Sequence, residues 1–513
     1  MGRIDKLIMG AFVLMMAVIF ALVMSAGKNL IALLAGLSGL VLLAALAFRA
    51  GEISAKARRR VWIGAWSALF ALQCALAYRA YFLPGFDAYS LIKNAFVIFS
   101  GEGTVNHAYF SHYPNNILLV QIYVSIFRAL GRFVSETSRE TCLLMLVFTQ
   151  CALNTGAGIL TQRLAYRMTG SSRFAAFASC VYMAFIGLSP WILVPYSEGF
   201  GLIFPVAIFN LYASPLRERH PLPCWGAIGA LALAGYLIKP QLAVAFIAVC
   251  LIEAVDRMKR RQWKGLFALC ALFAAVFGLT GPALDGISAN LGLELQEDYR
   301  NGYSMNPLHF VMMGLNEETV GIYSGEDVYL SFGYDDPAQR RAAQLAVIGE
   351  RLNGMGPRGL LAHLARKTRV NYGDGTFAWG GEGYFFYEMS EDKDSVLSPL
   401  LKDLIGYGEA KRYGATKAYF QGIWLALMLC ALASAFACRE AARSGQRSLY
   451  VSMALALIGL TLFVTIFEAR ARYLYAYAPV YLLIALGGLW AVMGEARFSA
   501  MAKKGPAAEK MRS

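Results

Sequence analysis

Residues able to do chemistry stand in a few short polar stretches between long apolar runs. The first, Tyr81 to Asn116, carries Asp87, His107 and His112, and its Tyr113-Pro114-Asn115-Asn116 step opens the next apolar run. A carboxylate held among Tyr81, Tyr89, Tyr109 and Tyr113 at a membrane boundary is partly desolvated, which suits it to take a proton. Asp87 fits a second, compatible role as N-cap of the helix-like run Ala88–Phe99. Glu198, in VPYSEGFG, is a second acid able to orient a sugar or an acceptor, or else part of a solvated loop. Lys239, inside an apolar run, either snorkels to the surface or neutralises a lipid phosphate as a point charge. Late in the chain comes Glu468-Ala469-Arg470-Ala471-Arg472-Tyr473. Glu468 and Arg472, spaced i, i+4, can pair on one helix face while Arg470 points elsewhere. Guanidinium groups match phosphate oxygens in pairs, and two arginines at the outer end of a span exceed what anchoring needs.

The remaining candidates are weaker. His107 and His112 are five apart, make no metal-ligand pattern, and read as loop hydrogen-bonders. Asn115 and Asn116 read as caps of the following helix, with binding of a substrate hydroxyl as the alternative. Asp374 and Glu382 lie in NYGDGTFAWGGEGYFF (371–386), which suits sugar stacking or a plain structured loop. P-loop, dinucleotide-binding, nucleophile-elbow and zinc spacings are absent, which disfavours nucleotide-driven transport and soluble-type hydrolase chemistry.

The elements that must position these residues are helices. The chain is 58% hydrophobic and only 16% charged over 513 residues, with a mean hydropathy of +0.50. Apolar runs of roughly 18 or more residues recur, each able to cross about 30 Å of hydrocarbon. The expected fold class is therefore an all-α polytopic membrane protein. The net charge of +14 does not point to nucleic acid. Between Asp285 and Arg412 there are 19 acidic and 12 basic residues, so the positive excess sits in short loops such as 49–60 and 256–264. Basic short loops mark the cytoplasmic side. The nine cysteines lie in or beside apolar segments without a CxxC and read as small buried hydrophobes. The first apolar run lacks a small-residue cleavage site and leads straight into further spans, so it reads as a retained helix.

Spans are expected near 7–25, 30–48 and 61–83, which delivers Asp87 to the outer face of the cytoplasmic membrane. Runs follow at 115–131, 141–166, 174–193, 199–213 and 224–254. The charge rule is met if 115–131 is a re-entrant or surface helix and 224–254 breaks into two short spans at Lys239-Pro240-Gln241. Glu198 and Lys239 then share a face with Asp87. A span near 265–283 leads out, and spans near 415–437, 449–467 and 473–493 close the chain. Three regions result: 1–283, with the outer loop at 84–114; a large extracytoplasmic loop region, 284–414; and 415–513, ending in a short cytoplasmic tail with Lys503 and Lys504. Within the loop region, Pro337–Leu352 and Pro357–Val370 read as amphipathic helices, and HFVMMGLN (309–316) is too apolar for a solvated connector.

The order of these motifs resembles the GT-C superfamily of integral-membrane glycosyltransferases, which includes protein O-mannosyltransferases, aminoarabinose transferases and bacterial family 39-like members. The matching stretches are GFDAYS (85–90), YPNNILL (113–119), YSEGF (196–200), YLIKPQ (236–241) and ExRxRY (468–473). The sequence departs from the family pattern in having two additional spans before the acid, Ala-Tyr after Asp87, and Pro-Asn-Asn where Pro-Pro is usual. The resemblance implies a GT-C-like helical bundle of about 12–13 spans. It implies a polyprenyl-phosphate sugar donor and an extracytoplasmic acceptor that is a glycan, lipid or protein. Asp87 would be the general base of an inverting displacement, with Glu198 orienting substrate. Lys239, Arg470 and Arg472 would bind the donor phosphate. Tyr89, His112, Tyr113, Asn115, Asn116, Asp374, Glu382 and Tyr473 would line the substrate site. No cofactor is expected, and a divalent metal requirement is left open. The partners implied are membrane lipids, donor and acceptor. Two other readings compete: a ligase or polymerase of lipid-linked glycans leaning on Arg366 and Arg369, and a lipid or glycan transporter. The transporter reading calls for an internal repeat that the sequence lacks.

Overall fold

A backbone N–H or C=O in hydrocarbon finds no partner outside its own chain, so long apolar runs become helices. The computed structural model describes residues 2–494 except 28, 51–53, 134–136, 297–303, 381–385, 390, 407–410 and 444. Three spanning helices come first, α1 (Arg3–Met24), α2 (Asn29–Ala50) and α3 (Ala55–Ala80). A short strand, β1 (Phe82–Pro84), leads to α4 (Phe86–Ser100), α5 (His107–His112) and α6 (Ile117–Leu130). Then come α7 (Arg139–Thr169), α8 (Ser172–Tyr182), α9 (Ser197–Gly201), α10 (Ile203–Tyr212) and α11 (Leu216–Arg219). The next four are α12 (Pro221–Ile238), α13 (Val244–Lys259), α14 (Trp263–Gly278) and α15 (Thr280–Leu291). The polar region holds α16 (Pro307–Gly314), α17 (Gly325–Phe332), α18 (Pro337–Tyr372), β2 (Phe386–Met389) and α19 (Leu397–Ile405). The chain closes with α20 (Tyr413–Ala431), α21 (Ser434–Arg443), α22 (Arg447–Ile466) and α23 (Ala478–Val492).

The fold is an all-α polytopic membrane bundle. Among the described residues, eight helices are long and apolar enough to cross alone, or nine if α20 and α21 count as one bent span. The expected 12–13 is reached only by adding α6, α8, α9–α10 and α13, each too short to cross unaided. The run 224–254 breaks as expected: α12 stops at Ile238, Lys239 is extended, and a 3-10 turn from Pro240 restarts the chain as α13. Two other runs are less regular than expected. The 174–193 run unwinds through a π-turn at Met183–Gly187 and a 3-10 turn at Pro190–Leu193. The 415–437 run bends by 54° between α20 and α21. The strands, not anticipated, pair antiparallel with Phe82 opposite Met389. The two amphipathic stretches are joined in α18 across a kink at Gly356 and Pro357.

The closest packing is between α2 and α20. A Cβ on Gly422 would stand 2.6 Å from Ala32 O, and one on Gly36 would meet Gly422 O, so the two backbones touch there. The bundle has two distinct ends. At one, Arg447 forks between Asp5 and Asp256, joining the starts of α1 and α22 to the end of α13. Glu253 there accepts from Arg217 at 3.1 Å and from Arg257 at 2.9 Å. At the other end α1, α3, α12 and α22 finish; there α18 packs on α1 and α22, and α16 on α22.

Candidate functional site

The site forms where helices stop. Beyond α3 the extended segment Tyr81–Gly85 turns the chain into α4, whose N-cap is Gly85. Asp87 therefore sits in the first helical turn and is not the cap that the sequence suggested. Its carboxylate accepts from Tyr109 Oη at 2.9 Å and from Tyr196 Oη at 3.2 Å. Tyr109 comes from α5 and in turn accepts from Asn116 Nδ2 at 2.7 Å. Asn116 occupies the N-cap position of α6, as expected, but its side chain makes no capping bond there. Asn115 donates to Asn116 Oδ1 at 3.4 Å. Burial, reinforced by Asp87, holds the Tyr109 hydroxyl well above its ordinary pKa, so it remains a donor to the carboxylate.

Tyr196, the residue before α9, links this acid to a cluster of charges. Its ring lies 5.3 Å from Lys239 Nζ and 5.6 Å from the Arg472 guanidinium carbon. Lys239, in the break after α12, pairs with Glu198 and donates to Ser197 Oγ at 3.1 Å. Arg472 Nε lies 3.4 Å from the same carboxylate oxygen, Glu198 Oε1. Glu198 is 2% exposed. One buried carboxylate thus holds two cations side by side, which would otherwise repel each other in a low-dielectric setting. Tyr473 completes the floor, with its ring 4.3 Å from Lys239 Nζ and its hydroxyl donating to Glu468 Oε2 at 2.8 Å.

The pairing expected between Glu468 and Arg472 is not formed. An i, i+4 pair needs a continuous helix, whereas residues 468–470 are non-helical between α22 and the 3-10 turn Ala471–Tyr477. Glu468 instead accepts from Arg470 Nε at 3.0 Å, leaving Arg472 to turn towards Glu198. Glu198 and Glu468 thus hold Lys239, Arg470 and Arg472, and Tyr196 joins this cluster to Asp87.

The other candidates divide. Tyr113 packs its ring 5.3 Å from Tyr109, and Tyr89 lies half-buried on the same helix as Asp87. His112 meets the ring of Phe332 edge-on at 4.4 Å. His107 Nδ1 accepts from Glu294 N at 3.0 Å, as a loop hydrogen-bonder. Asp374 accepts from Thr376 N and Oγ1 within its own turn, at 2.9 and 2.7 Å. Glu382 and the tail with Lys503 and Lys504 lie outside the described residues. Arg366 pairs with Glu317, while Arg369 reaches Leu22 O and Ser25 Oγ at the end of α1. Among the described residues no three His, Cys, Asp or Glu side chains converge as metal ligands. The linking role of Tyr196 was missed in the sequence, although its place two residues before Glu198 in YSEGF was a usable signal.

A family model described as conserved hypothetical integral membrane protein matches residues 15–489. No curated protein matches the chain. Among solved structures, the archaeal oligosaccharyltransferase AglB from Archaeoglobus fulgidus, in complex with an inhibitory peptide and a dolichol-phosphate, is similar with a TM-score of 0.41 and 14% identity. That similarity covers 87% of this chain and 52% of AglB, so the chain spans about half of that protein's length.

Proposed function

The chain belongs to the family of conserved hypothetical integral membrane proteins, and from the charged site at one end of its bundle we propose that it transfers a sugar from a polyprenyl-phosphate carrier to an acceptor hydroxyl. The observation that carries this reading is Tyr196, whose hydroxyl binds Asp87 and whose ring borders Lys239 and Arg472. A base and a cationic cluster one side chain apart suit a displacement in which a proton is removed on one side of the reacting carbon and negative charge develops on the other. Asp87 takes the acceptor proton. The acceptor oxygen attacks the anomeric carbon as the bond to phosphate oxygen breaks, and the carbon inverts. The electron pair leaves on the lipid phosphate, stabilised by Lys239, Arg470 and Arg472. Cations already anchored by Glu198 and Glu468 need little reorganisation as that charge appears. Tyr109 and Tyr196 hold the Asp87 carboxylate in orientation.

In this reading the site faces outwards, because the basic loops 49–60 and 256–264 belong to the opposite end. The region 284–414 covers the site and selects the acceptor, between the helices of 1–283 and those of 415–513. The test is release of polyprenyl phosphate from a radiolabelled polyprenyl-phosphate hexose by the protein in native-membrane nanodiscs. Asp87→Asn is expected to lower release by about 10²-fold or more while unfolding as wild type does. Undiminished release by a stable Asp87→Asn protein would remove Asp87 from the base role.

A further inference from the structure

The last carbonyls of a helix have no partner within it. Those of α22 are met by side chains of α18, a helix of the polar region. Asn371 Nδ2 donates to Val464 O at 3.1 Å and Lys367 Nζ to Thr465 O at 2.9 Å. Lys367 Nζ donates again to Phe467 O, just past the helix, and to Gly314 O at 2.9 Å, the last residue of α16. An ammonium has three N–H bonds, and all three are engaged on backbone oxygen. His363 Nε2 lies 2.9 Å from the same Gly314 oxygen, and Ala469 N donates to Gly321 O at 2.7 Å.

The socket is shaped for this lysine. A Cβ on Gly314 would lie 2.6 Å from Phe467 O and 2.8 Å from Lys367 Nζ. Gly321 has φ +75°, and a Cβ there would lie 3.0 Å from Lys367 Cε. Lys367 is 1% exposed, and the acid acting on it is Glu468. Immediately beyond the pinned carbonyls come Glu468, Arg470, Arg472 and Tyr473, the late members of the charged site.

We infer that Lys367 is a positioning residue: it fastens the unwound end of α22 and thereby sets where Arg470, Arg472 and Tyr473 stand. The clamp makes α16 and α18 part of the site's framework. Only its effect on ligand handling rests on the lipid-phosphate reading above.

The experiment uses the full chain in nanodiscs, with Lys367→Met, Lys367→Arg and Gly321→Ala. It reads amide hydrogen exchange by peptide mass spectrometry, and binding of polyprenyl phosphate. Lys367→Met is expected to raise exchange across 466–473 by about ten-fold or more while α2 and α20 exchange as in wild type. Affinity for polyprenyl phosphate falls in parallel, and Lys367→Arg, which keeps the charge but overfills the socket, recovers part of both. Should Lys367→Met fail to fold, Gly321→Ala presses on both Gly314 O and the lysine stem, disturbing the same clamp, and gives the same local signature. Wild-type exchange across 466–473 in Lys367→Met overturns the inference, as does a rise spread evenly over the bundle. A wild-type protein that binds polyprenyl phosphate but transfers no sugar defeats the transfer reading alone. A loosened segment with unchanged affinity defeats the positioning role alone.

Discussion

Replacing Glu198 by Gln tests whether one carboxylate really holds two cations. Arg472 Nε is 3.4 Å from Glu198 Oε1, and Lys239 is paired with the same oxygen. At an effective dielectric of about 20, a charge pair at that distance attracts by about 5 kcal/mol before desolvation. Glutamine keeps the shape and an acceptor oxygen but removes the charge, leaving an ammonium and a guanidinium adjacent in a buried site. Removing one partner of a buried pair typically costs about 3–5 kcal/mol. Lys239→Met should be milder, about 1–3 kcal/mol, because the Glu198–Arg472 pair survives as a neutral unit. The double variant retains one uncompensated cation where Glu198→Gln alone retains two, so its cost should fall short of the sum by about 1 kcal/mol or more. Denaturant unfolding in mixed micelles measures all three. Additive single and double variants, or Lys239→Met as damaging as Glu198→Gln, would refute the shared-carboxylate arrangement.

Three further outcomes follow from the same geometry. Tyr196→Phe removes the 3.2 Å hydrogen bond to Asp87 but keeps the ring beside the cations. Donor turnover should fall by about ten-fold or more, and unfolding free energy by up to about 1.5–3 kcal/mol, the worth of a hydrogen bond to a charged group. Burial lowers the Lys367 pKa from 10.5 to about 8, so between those values the unfolded chain binds more protons than the folded one. Stability should therefore rise with pH, by about 2 kcal/mol between pH 8 and 10, as the wild-type minus Lys367→Met difference, whereas a flat difference would contradict the burial of a charged amine. Gly422→Leu drives a side chain into Ala32 O and should destabilise the bundle by about 1–3 kcal/mol. An unchanged unfolding midpoint would mean that α2 and α20 do not touch there.

Local features were legible in the sequence because they depend on neighbours along the chain. Apolar runs announced most of the helices, and Pro240 announced the break at Lys239. The charge-derived topology put Asp87, Glu198 and Lys239 on one face, and in the structure Tyr196 touches Asp87 and Lys239 while Lys239 pairs with Glu198. Where local rules misled, the backbone was not the regular helix they assume. Glu468 and Arg472 were paired by helical spacing across residues that are not helical. Asp87 and Asn116 were read as caps, yet each uses its side chain on a tyrosine from another segment. Lys367 was passed over between the more conspicuous Arg366 and Arg369, since nothing in its neighbourhood reveals that carbonyls at 314, 465 and 467 converge on it.

By itself, then, the sequence determined that this chain must be helical and membrane-embedded, where its long segments lie, and which few charges stand out of place. Hydrocarbon demands local satisfaction of the backbone, and that demand can be read residue by residue. Which charge meets which was decided by tertiary structure alone. Each helix that breaks off leaves an end to be satisfied from elsewhere, and Tyr196 reaches Asp87, Arg472 reaches Glu198 and Lys367 reaches Phe467 from about a hundred residues or more away.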